Sequence, residues 1–390
     1  MSHANCSGAD RTRRLDAAID AALAEKRVVG AVVLVAKDGE IVYSRAAGLA
    51  DREAGLPMRA DAIFRLASIT KPIVTAAAMK LVEEGVLSPG DPVTRWLPDF
   101  RPRLPDGSSP EISVHHLLTH TSGLGYRFLE GEGSPYHTLD VSDGLDQPGL
   151  SLAENLSRIA GVPLAFAPGQ GWCYSLGLDV LGGIMERAAG MPLPDLVRRA
   201  VTGPLEMKDT DFSVADCLRL AVPYANDQPE PVRMTDGISV PMNGTAAIFA
   251  PGRILDPASY PSGGAGMAGT AHDVLRFLEA IRTGGAPFLT PETVATMMRD
   301  HVGAHVAAQR PGWGFGYGWA VLVDPQAAAV PHAEGTLTWG GIYGHSWFVD
   351  RANGLTAVLL TNTAFEGMAG VLPADIRAAV YGRDDANEAA

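Results

Sequence analysis

Residues 64–72, which read FRLASITKP, decide the fold and the chemistry expected of this chain. Beyond Pro72, apolar residues recur at helical spacing as far as Gly85, which is a plausible C-cap. Because proline fits only in the first turn of a helix, this helix must begin close to Ser68. The sequence therefore predicts that Ser68 lies at a helix N-terminus, where backbone N–H groups are unpaired.

Lys71 follows Ser68 by three residues, and this spacing puts both side chains on one helical face. The neighbouring residues are apolar, so Lys71 is expected to be buried, with its pKa lowered toward neutrality. A neutral amine beside the hydroxyl is a competent general base, and the helix N-terminus favours a developing oxyanion. A bare S-x-x-K pattern leaves the alternative open that Ser68 is an N-cap and Lys71 is solvated.

Tyr174 lies between a turn at 168–172 and a helix that begins near Ser175. A phenol near a lysine ammonium is expected to lose its proton more easily and to shuttle it between Ser68 and a leaving group. The alternative for an isolated tyrosine is a half-buried packing role.

Residues 339–344, WGGIYG, fall where the pattern predicts a strand. Paired glycines weaken a strand unless another backbone or a ligand must approach closely. An N–H group at the edge of this strand can act as an oxyanion donor opposite that of Ser68. A glycine bulge without any ligand contact is the open alternative.

The rest of the chain predicts an α/β (α+β) fold in one catalytic unit spanning 1–390. The pattern predicts a helix at 15–26 and a hairpin at 28–48 near the start of the chain. Near its end it predicts four strands, at 317–323, 337–339, 345–349 and 355–361, and a final helix at 372–381. Between these two parts lie six helical patterns, at 67–84, 112–120, 152–160, 176–189, 192–201 and 271–282. This order predicts an antiparallel sheet built from both chain ends, in a lobe of residues 1–65 and 265–390. A mainly helical lobe at 66–264 would leave a cleft between the two, bordered by long irregular stretches at 121–150 and 224–265.

Composition excludes several function classes. The chain of 390 residues is 46% hydrophobic and 19% charged with a net charge of -13, which fits a globular protein and disfavours a nucleic-acid partner. Its apolar runs are too short to span a membrane, and no signal peptide is apparent. Cys6, Cys173 and Cys217 form neither a disulfide framework nor a zinc pattern, so a reducing cytoplasm is expected.

Three motifs together, Ser68-x-x-Lys71, Tyr174-Ser175-Leu176 and Trp339-Gly340-Gly341, resemble the serine β-lactamase and penicillin-binding-protein superfamily. Within it the chain is most similar to the family VIII carboxylesterases, and the likeness includes residues 116–124 and 260–266.

The resemblance implies an antiparallel sheet flanked by helices plus a helical lobe. It also implies that Ser68 is the nucleophile, with Lys71 and Tyr174 as its acid/base partners. The resemblance further places the oxyanion hole at the N–H groups of Ser68 and Ile342. Tyr126 and Trp339, with Gly340 and Gly341, would line the substrate pocket.

Two departures from β-lactamases indicate the substrate. Those enzymes have Lys-Thr-Gly where this chain has Trp339-Gly340-Gly341, and usually Tyr-x-Asn at 174–176. The missing cation and amide help hold a β-lactam, so neutral esters are favoured. We therefore expect a cofactor-free and metal-free serine esterase for short-chain carboxylic esters, including the acetyl ester on cephalosporin side arms.

Other functions remain open at this point. An acyl-enzyme could pass its acyl group to an alcohol or amine, and a weak β-lactamase or D,D-peptidase activity is a further alternative. The G-x-S-x-G motif of α/β-hydrolases is absent, and His116 and His120 lack the third ligand of a zinc site. A non-catalytic scaffold would not need all three reactive side chains. The sequence does not indicate an oligomeric state.

Overall fold

The computed structural model describes residues 8–242, 244–307 and 309–382. Its strands are β1 (Gly30–Lys37), β2 (Glu40–Asp51), β3 (Leu56–Pro57), β4 (Ile63–Arg65), β5 (Tyr224–Ala225), β6 (Val232–Arg233), β7 (Ile238–Met242), β8 (Thr245–Phe249), β9 (Ala268–Thr270), β10 (Trp313–Phe315), β11 (Ala320–Leu322), β12 (Leu337–Gly341), β13 (His345–Asp350) and β14 (Leu355–Thr361). Its helices are α1 (Gly8–Ala24), α2 (Thr70–Glu83), α3 (Val114–Leu118), α4 (Pro135–Thr138), α5 (Leu152–Ala160), α6 (Gly177–Ala189), α7 (Leu193–Val197), α8 (Ala271–Arg282), α9 (Pro291–Met297), α10 (Ala304–Ala307), α11 (Glu366–Ala369) and α12 (Leu372–Tyr381).

The main sheet joins the two ends of the chain. Its order within the described residues is β10-β11-β12-β13-β14-β1-β2-β3, and every neighbouring pair is antiparallel. The central contact is between β1 and β14, with Ala31 opposite Thr361. This confirms the predicted sheet assembled from both termini.

Strand β1 is apolar throughout because both of its faces are covered. Val33 and Val35 pack against helices α1 and α12, whereas Val32 and Leu34 face the main core. Successive side chains of a strand point to opposite faces, so a buried strand needs an apolar residue at every position. The same core continues into α2 and α6, whose apolar faces lie behind the loops that carry the candidate site. The division into lobes of 1–65 with 265–390 and of 66–264 stays a prediction.

Most predicted elements form within two or three residues of their expected bounds, and four differ more. Helix α1 already includes Gly8, the first described residue, and the polar residues before Leu15 form a more exposed first half of the helix. The strand predicted at 317–323 shortens to β11, since Gly318 adopts a φ of +92° that interrupts the extended backbone. The helix predicted at 112–120 is only α3, and the one at 192–201 is α7 followed by a π-helical turn.

The stretch 224–265 is not wholly irregular, contrary to the sequence expectation. Strands β7 and β8 pair as an antiparallel hairpin within it. Val240, Ala247 and Phe249 turn inward while their neighbours within the two strands are more exposed, which is the alternation that a half-buried hairpin requires.

Two further features are the lack of a membrane-spanning helix among the described residues and the state of the cysteines. No helix among the described residues combines the length and apolar character that a membrane crossing needs. Cys173 and Cys217 are free thiols, and Cys6 lies outside the described residues.

Candidate active site

Ser68 lies in a single turn of 3-10 helix, Ala67–Ile69, that leads directly into α2. Pro72 is the third residue of α2, in the first turn as predicted. Ala67 has a φ of +45°, a left-handed conformation that costs a non-glycine residue about 1–2 kcal/mol. Its side chain is fully buried while Ser68 is partly exposed. The surrounding core thus holds a strained turn that presents Ser68 to the cleft.

Lys71 points at the Ser68 hydroxyl from a buried position. Its Nζ lies 3.1 Å from Ser68 Oγ and donates to the carbonyl oxygen of Gly264 at 2.8 Å. Burial lowers the pKa of Lys71 to about 7, although the carboxylates of Asp179 and Asp143 oppose this shift. A substantial fraction of the amine is therefore neutral near pH 7 and can accept the serine proton.

Tyr174 completes the contact with the hydroxyl. Its phenol donates a hydrogen bond to Ser68 Oγ at 2.6 Å, and its ring centroid lies 4.7 Å from Lys71 Nζ. Burial raises the pKa of Tyr174. The expectation that this phenol loses its proton more easily is wrong, because burial penalises the phenolate. Tyr174 is therefore a neutral hydrogen-bond donor and proton source in the resting site.

His120 holds the backbone on both sides of Tyr174. Its carbonyl accepts the N–H of Cys173 at 3.0 Å, and its Nδ1 accepts the N–H of Ser175 at 3.2 Å. Because Nδ1 accepts a backbone N–H, the ring proton is on Nε2. Burial and the nearby Lys71 lower the pKa of His120 well below its usual value, so the ring stays neutral. At the sequence level His120 was considered only as a metal ligand, and its contacts with the segment that carries Tyr174 were missed.

The glycines of β12 allow this strand to lie against the turn that carries Ser68. A Cβ at position 341 would be 2.4 Å from the carbonyl oxygen of Leu66, whereas a Cβ at 340 would be 2.6 Å from that of His345. Gly341 therefore permits the approach to the serine turn, and Gly340 permits tight pairing with β13. Ile342 follows directly, and neither its N–H nor that of Ser68 has a backbone acceptor among the described residues.

His345 fastens the same hairpin to the nucleophile segment. The N–H of Thr361 donates to its Nδ1 at 3.3 Å, so Nε2 carries the proton and donates to the carbonyl oxygen of Arg65 at 2.8 Å. Burial lowers the pKa of His345 to about 4, which keeps the ring neutral and this pattern intact. The arrangement fixes the edge of β12 relative to the start of α2.

Aromatic rings form the walls around Tyr174. Tyr126 lies with its ring centroid 4.9 Å from that of Tyr174, and it stacks on Phe128 at 4.6 Å. Trp339 meets Tyr174 edge-on at 5.3 Å and Phe315 at 5.2 Å. Tyr126 is only 2% exposed while Trp339 is partly exposed, so Trp339 is the more accessible of the two predicted pocket residues.

Asp179 is a buried carboxyl group that sequence reasoning missed. A Cβ at Gly264 would lie 2.6 Å from Asp179 Oδ2 and 3.4 Å from Lys71 Nζ, so both groups converge on this glycine. Neither carboxyl oxygen has a partner of good hydrogen-bond geometry among the described residues. Burial raises the pKa of Asp179, opposed by Ser262 and Lys71. An aspartate in the first turn of α6, followed only by apolar residues and glycines as far as Met185, is the sequence signal that could have revealed it.

His116 and His120 do not converge on a metal site. The Nδ1 of His116 accepts the N–H of Ser113 at 3.1 Å in the cap of α3, and His120 is engaged with the Tyr174 segment. No group of three potential ligands suited to a metal ion occurs within the part of the chain that the structure describes.

Comparison with known proteins finds relatives that match nearly the whole chain. A family model described as Beta-lactamase matches residues 15–381. The chain is 60% identical over 374 residues to Esterase EstB of Burkholderia gladioli, covering 95% of each protein. It is 46% identical to the solved structure of EstCE1, described as a hydrolase with promiscuous acyltransferase activity, with a TM-score of 0.94 over 96% of this chain and 100% of that one. The lovastatin esterase of Penicillium rubens is 28% identical over 377 residues, covering 88% and 91% of the two chains.

Proposed function

The chain belongs to the beta-lactamase family, and on this basis we propose that it is a carboxylic ester hydrolase that forms an acyl-enzyme on Ser68. One observation carries the proposal. The Ser68 hydroxyl lies 3.1 Å from a buried amine and 2.6 Å from a phenol that donates to it. A base and an acid on one hydroxyl are what acyl transfer requires.

Acylation follows from these protonation states. The neutral amine of Lys71 takes the proton of Ser68 while Oγ attacks the ester carbonyl carbon. The N–H groups of Ser68 and Ile342 stabilise the oxyanion of the tetrahedral intermediate. When the intermediate collapses, Tyr174 protonates the departing alkoxide, and the Lys71 ammonium restores the proton to the phenol. The net change moves the serine proton onto the alcohol.

Deacylation uses the same groups in the opposite order. A water molecule gives a proton to the Lys71 and Tyr174 pair as its oxygen attacks the acyl carbon. Collapse of the second tetrahedral intermediate breaks the bond to Ser68 Oγ, which recovers its proton. The products are the carboxylic acid and the free enzyme.

Short neutral esters are the proposed substrates. Trp339 stands where related β-lactamases hold a lysine, so an anionic substrate lacks its ion pair while a small acyl or alcohol group gains an apolar ring. EstB, the similar protein from Burkholderia gladioli, is named an esterase. The acetyl ester of a cephalosporin side arm belongs to the same substrate class.

The test of the nucleophile is the variant Ser68→Ala, assayed with p-nitrophenyl acetate and butyrate. We expect loss of turnover by at least about 10³-fold in a protein that folds normally, because no covalent intermediate can form. Ser346→Ala is the matched control, since Ser346 lies on β13 opposite Gly340 and outside the hydroxyl network. A fluorophosphonate should label Ser68 stoichiometrically, and labelling at another serine would contradict the assignment.

Acyl transfer is the second candidate function. The description of EstCE1 as a hydrolase with promiscuous acyltransferase activity favours it. An alcohol that occupies the leaving-group position can attack the acyl-enzyme in place of water. Product analysis with vinyl acetate and added 1-butanol would detect butyl acetate if transfer competes with hydrolysis.

The proposal also covers the binding partners of the protein and its cellular compartment. We infer a small-molecule ester as the principal partner and no nucleic-acid partner, given the net charge of -13. A cytoplasmic setting fits free Cys173 and Cys217. Fractionation of the source cells, with detection of the protein by an antibody, would test this compartment.

A further inference from the structure

Helix α3 ends in a backbone pattern that normally carries a glycine. The N–H of Thr121 donates to the carbonyl oxygen of His116 at 3.0 Å, and that of His120 donates to the carbonyl oxygen of Leu117 at 3.5 Å. These two bonds form the Schellman pattern of a helix C-terminus, with His120 as its left-handed residue at a φ of +57°. Glycine is favoured at this position because it adopts a positive φ without a steric penalty. A side chain here therefore needs a compensating role.

The imidazole of His120 is buried without using both of its nitrogens. The residue is 0% exposed, and its Nε2 has no hydrogen-bond partner among the described residues. Because Nδ1 accepts a backbone N–H, the unpaired Nε2 carries the ring proton. A buried N–H without a partner is destabilising, and an apolar side chain of similar shape would avoid that cost. Both the backbone conformation and the unpaired N–H thus oppose folding, which indicates a functional role for the ring.

The contacts of His120 with residues 173–175 identify that role. Its carbonyl oxygen accepts the N–H of Cys173 at 3.0 Å, while its Nδ1 accepts the N–H of Ser175 at 3.2 Å and lies 3.0 Å from the Ser175 hydroxyl. Between these two anchors the His120 ring meets the Tyr174 ring edge-on, with the centroids 4.9 Å apart. One residue therefore constrains both the backbone of Tyr174 and the orientation of its ring.

Two further aromatic rings pack against His120. The centroid of Phe315 lies 5.2 Å from that of His120, and the centroid of Trp172 lies 6.3 Å from it. Phe315 is only 1% exposed, so it belongs to the packed interior. Side chains at interior packing density have little room to move. His120 is therefore a rigid link between this aromatic cluster and Tyr174.

The position of the Tyr174 phenol matters most when the leaving group needs a proton. The phenol lies 2.6 Å from Ser68 Oγ, and in the proposed mechanism it protonates the departing alkoxide as the ester C–O bond breaks. An aliphatic alkoxide is too basic to leave without that proton, whereas p-nitrophenolate leaves as the anion. A misplacement of about 1 Å can cost roughly 10²-fold in such a step. We propose that His120 is a positioning residue that aligns Tyr174 as the acid for alkoxide leaving groups, an inference that rests on the proposed acyl-enzyme mechanism.

The test compares kcat/KM for ethyl butyrate with kcat/KM for p-nitrophenyl butyrate, because this quantity includes acylation and the departure of the alcohol. His120→Gly relieves the backbone strain and removes the ring. We expect the ethyl ester to lose at least about tenfold more than the p-nitrophenyl ester in this variant. Tyr174→Phe should shift the ratio of the two values in the same direction. Equal losses for the two esters in His120→Gly would indicate a merely structural role and overturn the proposal.

A control variant and a double variant separate positioning from general damage. His116→Asn is the control, since the Nδ1 of His116 also accepts a backbone N–H, that of Ser113, but in the cap of α3. Its ratio of the two kcat/KM values should match that of the unaltered enzyme. When Tyr174→Phe is already present, His120→Gly should change the ratio little further, because its effect requires the phenol. A second fall of about tenfold in the double variant would refute the proposal.

A second substitution keeps the test decisive if His120→Gly does not fold. His120→Asn tolerates a left-handed backbone and keeps an acceptor for the Ser175 N–H, but it lacks the ring against Tyr174. The ratio should still fall by at least about threefold, and less than in His120→Gly. An unchanged ratio in the folded His120→Asn protein would contradict the proposal. The proposed function fails separately, through hydrolysis of both esters that survives in Ser68→Ala.

Discussion

The charge on Lys71 decides whether the Ser68 hydroxyl has a base beside it. Transfer from water to the core disfavours the ammonium, while the negative charges of Asp179 and Asp143 favour it. The outcome is a pKa of about 7. A general base with a pKa near the working pH is unprotonated often enough to accept a proton and still basic enough to hold it. This balance depends on burial and on charges that the local sequence of Lys71 does not contain.

The first prediction concerns pH. In the proposed mechanism Lys71 acts as a base only when neutral, so kcat/KM should rise with pH through an apparent pKa near 7 and level off above it. Asp179→Asn removes a negative charge that raises the lysine pKa, and the rise should therefore move to lower pH. Initial rates with p-nitrophenyl acetate, corrected for spontaneous hydrolysis, would measure both profiles.

Asp195→Asn is the control for that shift, because Asp195 lies on the exposed side of α7, paired with Arg198. Its profile should match that of the unaltered enzyme. A kcat/KM that does not change between pH 5 and 9 would rule out Lys71 as the titrating base.

The second prediction concerns the coupling of Lys71 and Tyr174 through one hydroxyl. Because both contact Ser68 Oγ, removing either should disable the same proton path. Lys71→Ala and Tyr174→Phe are each expected to lower kcat by roughly 10²–10⁴-fold, and the double variant should be little worse than the more damaging single one. Single-turnover kinetics of all three variants would measure this, and losses that multiply would show that the two groups act independently.

The individual site residues were predictable to different degrees. The S-x-x-K spacing and Pro72 sufficed to place Ser68 and Lys71 on one helical turn, because those are local rules. The protonation of Tyr174 was not predictable, since it follows from burial against Tyr126 and Trp339, which come from distant parts of the chain. The contacts of Asp179 and His120 with the site were not predicted for the same reason, because they are made to residues from distant parts of the chain.

At the level of elements, the β12–β13 hairpin determines the geometry of the proposed oxyanion hole. His345 binds β13 to the carbonyl of Arg65, and Gly341 lets β12 approach Leu66. The sequence identified the strand and its paired glycines, yet left a simple bulge open as their explanation. The distances resolve that ambiguity, because a side chain at 341 would overlap the backbone before Ser68.

The third prediction follows from that overlap. Gly341→Ala places a Cβ 2.4 Å from the Leu66 carbonyl oxygen, so β12 must move away and carry the Ile342 N–H with it. Losing one oxyanion donor is expected to reduce kcat by roughly 10²–10³-fold with a smaller change in KM. Steady-state kinetics with p-nitrophenyl butyrate would measure the split.

Gly131→Ala is the control for this substitution, because position 131 is exposed and a Cβ there would meet no atom within 4 Å. Its kcat should stay within about twofold of the unaltered enzyme, as is usual for surface changes. Gly341→Ala with a normal kcat would remove Ile342 from the mechanism.

At the level of the whole molecule, the sheet from both termini and the inserted helical region were predictable from apolar patterning. The bounds of β14, α5, α8 and α12 agree with the pattern residue by residue. The β7–β8 hairpin was not predicted, because its strands are short and border glycine- and proline-rich loops. Patterning specifies which surfaces are buried, whereas the relative position of loops such as 121–150 and 224–265 arises only when the two regions pack.

The last prediction belongs to this scale, because it depends on how the assembled cleft discriminates between substrates. Ser68, Lys71 and Tyr174 are indifferent to whether the carbonyl belongs to an ester or to a strained lactam, so selection must arise in binding and in deacylation. At the cleft, Trp339 offers an apolar ring where a lysine would hold a β-lactam carboxylate.

A cephalosporin that carries a 3'-acetoxy group presents both an ester bond and a lactam bond to one enzyme, and we expect the acetyl ester to be cleaved while the lactam ring survives. Mass spectrometry of the product distinguishes loss of the acetyl group from addition of water to the ring. Trp339→Lys should restore a cation and raise the share of ring opening, with Val323→Lys, at an exposed position directly after β11, as the control. Predominant ring opening by the unaltered enzyme would show that Trp339 does not set the preference.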